Sequence, residues 1–150
     1  MNKIAEIIST VFYIGRLPIA PGTWCSFIAF LAWYLLRTYI QAEFILYASL
    51  VLFFIGVAAT TIYSESIVQD DSPEIVIDEW VGQWITFTFM PVNLSNFVLG
   101  LTLFRFFDII KPFPVKSAEK LSGGWGVMMD DVVAGIISFI ILCILNNTIL

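Results

Sequence analysis

The stretch FRFFDIIKPFPVK, Phe104 to Lys116, places Arg105, Asp108 and Lys111 three residues apart in an otherwise greasy segment. At spacings of three and six they share one face of a helix. Two further stretches carry carboxylates in apolar surroundings. IDEWVGQW supplies Asp78 and Glu79, with the polar Gln83 one turn beyond Glu79, and MMDDVVAG supplies Asp130 and Asp131. Taken singly, each has a structural explanation. Asp130 and Asp131, expected in the first turn of the last helix, could complement its N-terminus. Lys111 could snorkel to a membrane surface, and Arg105 with Asp108 could form an ion pair. Taken together they are too negative to neutralise themselves. Each ionisable group set into an apolar helix costs about 2.5–3.5 kcal/mol on insertion scales, and five carboxylates face only two interleaved cations.

A divalent cation supplies the missing charge. The chain contains no histidine, and its two cysteines, Cys25 and Cys143, fall inside apolar runs and read as small apolar residues. The available ligands, Asp78, Glu79, Asp108, Asp130 and Asp131, are hard oxygens. They favour Mg²⁺ over Mn²⁺ or Ca²⁺ and disfavour Zn²⁺. Such a cation flanked by Arg105 and Lys111 suits a phosphate: cation and side chains hold phosphoryl oxygens, a water is activated, and a spare carboxylate moves the proton. An activated water is preferred to an aspartyl phosphoenzyme, because no Asp-x-Asp loop is present. A Cys-x5-Arg phosphatase loop is excluded, since Leu31 stands where Cys25 would need its arginine. The Asp-Gly…Ala-Arg…Gly…Asp…Asp signature of CDP-alcohol phosphotransferases is absent.

The elements that must carry these residues are membrane helices. The 150 residues are 59% hydrophobic with a mean hydropathy of +0.92, and only 13% are charged, against about 25% in soluble domains. Residues 17–36, 44–64, 80–104 and 132–150 contain no Asp, Glu, Lys or Arg, and each run approaches or exceeds the roughly 20 residues a spanning helix needs. The net charge of −5 and the absence of a basic patch exclude nucleic acid as a partner. No cleavable signal peptide is evident at the N-terminus.

The expected architecture is one all-α domain over 1–150. It is a polytopic membrane helical bundle of about five membrane helices, plus an N-terminal interfacial helix over about 2–14. Ile4, Ile7, Ile8, Val11 and Phe12 give that first helix its apolar face. Helices are expected over about 23–40, 43–65, 74–90, 95–111 and 128–147, with Pro73 opening the third and an acidic loop over 64–73. Pro91 breaks the long 80–104 run, and Asn93, Ser95 and Asn96 are turn and cap residues. The pattern therefore predicts a helical hairpin over 74–111. That hairpin returns Arg105, Asp108 and Lys111 to the face holding Asp78, Glu79, Asp130 and Asp131. Arg37 is the only basic residue expected on the other side, so the positive-inside rule makes the charged face cytoplasmic. At headgroup depth, the phosphate would belong to a lipid. In LPIAPGTWCS, Thr23 or Ser26 could cap a helix as plain turn chemistry. Alternatively, Gly22 and Thr23 could offer N–H and hydroxyl groups to the phosphate.

The runs PGTW…S, IVIDEWVGQWI, FRFFDIIKPFPVK and GGWGVMMDDVVAGI, in this order and over nearly the whole chain, resemble the bacterial phosphatidylglycerophosphatase A family. The resemblance implies a Mg²⁺-dependent phosphatase of the bacterial inner membrane. Its substrate would be phosphatidylglycerophosphate, and its products phosphatidylglycerol and phosphate. The family's acidic motif falls on Asp78 and Glu79, its basic–acidic motif on Arg105, Asp108, Lys111 and Pro112, and its last motif on Asp130 and Asp131. Soluble relatives in the superfamily surround a central helix with others. Two readings compete: action on another phosphorylated lipid as phosphatase or phosphotransferase, and a non-enzymatic membrane subunit with buried charges along a pathway. Neither oligomeric state nor headgroup choice is legible.

Overall fold

A computed structural model describes residues 2–67 and 72–148. Among the described residues there are seven α-helices and no strands. They are α1 (Lys3–Ser9), α2 (Pro21–Arg37), α3 (Ala42–Ile67), α4 (Ile77–Phe87), α5 (Leu94–Ile110), α6 (Val115–Ala118) and α7 (Gly124–Thr148), with a 3₁₀ turn at Ile14–Arg16. Two of them, Ala42–Ile67 and Gly124–Asn147, are long and apolar enough to cross a membrane. The outward faces of the long helices are greasy, including Leu35, Phe44, Val51, Phe54, Ile136, Ile140 and Ile144. A soluble monomer rarely presents so continuous an apolar exterior.

α4 is the hub, packing against α2, α3, α5 and α7. Its closest neighbour is α7. A Cβ on Gly135 would lie 2.5 Å from the carbonyl oxygen of Gly82, and one on Gly82 would lie 2.7 Å from that of Asp131. Glycine at both positions lets the two backbones touch, which sets the acidic end of α7 beside the acidic end of α4. Farther along, Phe30, Trp33 and Phe87 pack together, and the Trp84 indole donates to the Ala29 carbonyl at 2.8 Å.

The hairpin exists, with unequal arms. α5 has 17 residues, capped by the Asn93 side chain accepting from Asn96 N–H and stopped before Pro112. α4 has 11 residues, a rise of about 16 Å, short of a hydrocarbon core of about 30 Å. Pro73 lies in a turn and does not open α4. The chain before α4 is pinned instead: Val76 N–H donates to the Ser9 carbonyl, and Cys25 S–H donates to the Val76 carbonyl.

Three other expected boundaries also shift. α1 ends at Ser9 because Val11, Phe12 and Tyr13 all take positive φ. α2 opens with Pro21 at its first position, so Thr23 and Ser26 lie inside the helix, not at its cap, and the Ser26 hydroxyl donates to the Gly22 carbonyl. α7 starts at Gly124, four residues early, which puts Asp130 and Asp131 in its second turn. Gly124 fits there because its missing side chain admits the Val57 carbonyl and Thr60, while its N–H donates to Thr61 Oγ1. The acidic loop expected over 64–73 is α3 helix as far as Ile67, and its residues 68–71 lie outside the described residues.

Candidate active site

The alternation of the long helices brings one end of α2, α4 and α7 and the returning end of α5 together. There they enclose a cleft of about 280 Å³ lined by Gly22, Asp78, Glu79, Arg105, Asp108, Lys111 and Asp130, among others. Asp78 and Glu79 occupy the first turn of α4, where the helix dipole favours negative charge. Asp78 Oδ1 accepts the Glu79 N–H at 3.1 Å. Oxygens of Asp78, Glu79 and Asp131 lie within 4.8 Å of one another. Three carboxylates from two helices crossing at glycine thus converge on one point.

The remaining two carboxylates are taken by cations. Arg105 Nη1 sits 2.5 Å from Asp108 Oδ2 and 3.4 Å from Glu79 Oε1. Lys111 Nζ bridges Asp130 Oδ2 at 2.7 Å and Glu119 Oε1 at 2.6 Å. Asp108 also lies against Asp131. The five-carboxylate ligand set expected from sequence is therefore divided: Asp78, Glu79 and Asp131 cluster, while Asp108 and Asp130 hold the arginine and the lysine. Lys111 ends α5 with a left-handed backbone, φ 47°, a conformation that costs a non-glycine residue of order 1–3 kcal/mol and tends to occur at functional sites. Burial lowers the pKa of Lys111, but the carboxylates of Asp130 and Glu119 outweigh it and hold the ammonium charged.

Gly22 reaches the site and Thr23 does not. A Cβ on Gly22 would fall 2.0 Å from Glu79 Oε1 and 3.0 Å from Arg105 Nη1, so only glycine lets α2 close the cleft. Thr23 is exposed, does not line the cleft, and spends its N–H on the Ala20 carbonyl. Glu119 was not singled out by the sequence, because two prolines separate it from Lys111 and no helical register links them. Both cysteines are free, as their surroundings implied.

The donor set suits a hard divalent cation. Glu79 Oε2 and Asp131 Oδ2 are buried with no hydrogen-bond partner. Buried carboxylate oxygens are normally paired or ligated, and all the clustered ligand atoms are oxygen, as Mg²⁺ requires.

Fold and cleft together define an acid-rich site with two basic side chains, built at one end of an apolar helical bundle. The chain matches the phosphatidylglycerophosphatase A family over residues 7–146. It is 39% identical over 145 residues to a Bacteroides thetaiotaomicron protein named "Putative phosphatidylinositol-3-phosphatase", covering 92% of this chain and 91% of that one. It is 34% identical over 144 residues to phosphatidylglycerophosphatase A of Escherichia coli, covering 92% and 81% respectively. With the Haemophilus influenzae phosphatidylglycerophosphatase A it shares 33% identity over 143 residues, covering 94% and 87%. No solved structure matches the chain. The chain belongs to the phosphatidylglycerophosphatase A family and is an enzyme of that class.

Proposed function

We propose that this protein is a Mg²⁺-dependent phosphatase that converts phosphatidylglycerophosphate to phosphatidylglycerol and phosphate at the cytoplasmic face of a bacterial inner membrane. One observation carries the reading: three carboxylates, one buried and two half-buried, offer oxygens within 4.8 Å of one another beside Arg105. Asp78, Glu79 and Asp131 are the residues that would hold the cation, whose chemistry when bound is to neutralise phosphoryl oxygens and acidify water. Arg105 and Lys111 orient the phosphate from the opposite wall. Arg105 supplies a planar donor fork, and Lys111 supplies a mobile point charge. Asp108 lines the cleft outside the three clustered ligands, which supports it as the carboxylate that accepts the proton of the attacking water. The bond from phosphorus to the glycerol oxygen breaks as the water oxygen bonds to phosphorus, and the proton taken from the water is returned to the departing glycerol oxygen.

The depth of the site supports a lipid substrate. α3 and α7 cross the bilayer, and α2 and α5, with 17 residues each, complete the bundle. α4 enters from the site end. Lys3, Arg16, Arg105, Lys111, Lys116 and Lys120 fall at that end and Arg37 at the other, an asymmetry that supports a cytoplasmic cleft by the positive-inside rule.

A second reading has its own support. The Bacteroides relative is named for an inositol lipid. One assay separates the two. Phosphatidylglycerophosphate, phosphatidylinositol 3-phosphate and phosphatidic acid are offered in detergent, with Mg²⁺ or EDTA. Release of phosphate from the first, abolished by EDTA, is the expected result. Faster turnover of the inositol lipid transfers the assignment to it, and turnover indifferent to EDTA removes the cation.

A further inference from the structure

Among the described residues, one buried polar side chain near the cleft has no role in the chemistry above. Gln83 is fully buried, and both its amide nitrogen and its amide oxygen lack partners. Unpaired buried amides cost about 1–3 kcal/mol each, so an apolar residue of this size would make the bundle more stable. Gln83 stands one helical turn after Glu79, on the same face of α4. The register of the antiparallel α4–α5 pair fixes what it faces. Glu79 meets Arg105, and Phe87 meets Gly100. A residue midway between Glu79 and Phe87 therefore looks onto the α5 segment that ends at Arg105.

The orphaned atoms are complementary. Glu79 Oε2 needs a donor and Arg105 Nε–H needs an acceptor, and both are buried and unpartnered. Gln83 offers an amide NH₂ that donates and a carbonyl oxygen that accepts. We propose that Gln83 is a positioning residue that bridges Glu79 and Arg105 when the cleft is loaded, Nε2 donating to Glu79 Oε2 and Oε1 accepting from Arg105 Nε–H. It would thereby couple a cation ligand on one wall to the phosphate-orienting fork on the other. Hydrogen bonds of this outer kind fix ligand orientation, and losing one typically costs about 10–100-fold in metal affinity or activity. The inference rests on the cation reading proposed above.

The test uses the full chain in detergent with Gln83→Met, which keeps the volume and removes the amide; Gln83→Leu runs in parallel so that one folded variant suffices. Four quantities are read: Mn²⁺ affinity by electron paramagnetic resonance, kcat and KM for the lipid at saturating Mg²⁺, and the metal-free Tm. The expected result is Mn²⁺ affinity weakened about 10–100-fold, KM raised, and a metal-free Tm equal to or above that of the native chain. Native Mn²⁺ affinity and KM in a folded variant overturn the proposal. So does a lowered metal-free Tm with unchanged affinity in the folded fraction, which is what a purely structural amide gives. If the native chain itself binds no Mn²⁺, the cation reading fails first and takes the bridge with it.

Discussion

The two ends of α5 are both polar and both partly buried, yet they are built on opposite rules. At its start no buried side-chain polar atom of the helix lacks a partner. Asn93 caps the helix, the Asn96 amide donates to the Pro91 carbonyl at 3.0 Å, and Asn146 of α7 donates to Asn96 Oδ1 at 2.9 Å and to its own Leu142 carbonyl. At its finish Arg105 Nε, Glu79 Oε2, Asp131 Oδ2 and both polar atoms of Gln83 have no partner. The first end spends its polar groups on holding a loop against a helix. The second leaves some unpaired, at a cost in stability, which is the pattern a binding site would have. Within a single helix, hydrogen-bond completeness separates scaffold from site better than polarity or burial does.

That contrast breaks most visibly at Asp131. Asp131→Asn should lower kcat by about 10²–10³-fold, the size of effect seen when one group stabilising transition-state charge is removed. The metal-free Tm should rise, because a carboxylate crowded against Asp78, Glu79 and Asp108 is gone. Activity within tenfold of the native chain would place the cation elsewhere. Gly22→Ala probes the wall of the cleft. Its methyl would displace Glu79 and Arg105 together, with a stability loss of about 1–3 kcal/mol from overpacking and turnover falling more than the folded fraction does.

Asn96→Ala should do the reverse at the other end of α5. Pro91 and Asn146 lose their partner, stability drops by roughly 1–3 kcal/mol, and kcat per folded molecule stays unchanged. If turnover falls with stability intact, the two ends of α5 are coupled and the contrast is wrong. The smallest effect belongs to Glu74, where the Tyr63 hydroxyl donates to Oε2 at 2.8 Å and Arg16 Nε approaches the same oxygen at 3.1 Å. The Tyr63 hydrogen bond lowers the Glu74 pKa below 4.5, against an opposing contribution from burial, and Arg16 lowers it further. This stabilisation is complete above the unfolded carboxyl's pKa and is lost as pH falls through the folded value. Glu74→Gln should therefore flatten the acid limb of a Tm–pH curve. The pair is half-exposed, so the difference at neutral pH is roughly 0.2–1 kcal/mol.

What the sequence made legible follows how local each signal is. α5 could be placed to within a residue because Asn93 and Pro112 mark its ends by chain-local chemistry. The convergence of Asp78, Glu79, Arg105, Asp108, Lys111, Asp130 and Asp131 followed from helix direction alone. The starts of α4 and α7 were misjudged because tertiary contacts set them. Ser9 and Cys25 grip Val76, and Gly124 is drawn against α3, where glycine would otherwise read as a turn. The division of the carboxylates into a cluster of three and two ion pairs was also hidden. It depends on the α4–α7 crossing, which no single stretch encodes, and Glu119 joins Lys111 across a proline turn with no periodicity to announce it.

The close contact of Gly82 with Gly135, and of Gly22 with Glu79, bears on how variation in this chain would be read. In a saturation screen scored by growth, these three positions should tolerate as little as the acidic ones do, although they carry no side chain to exchange a proton. A ranking by intolerance alone would therefore mix spacers with reacting groups. Sorting them requires a second score, protein abundance, which the spacers depress and the reacting groups leave alone.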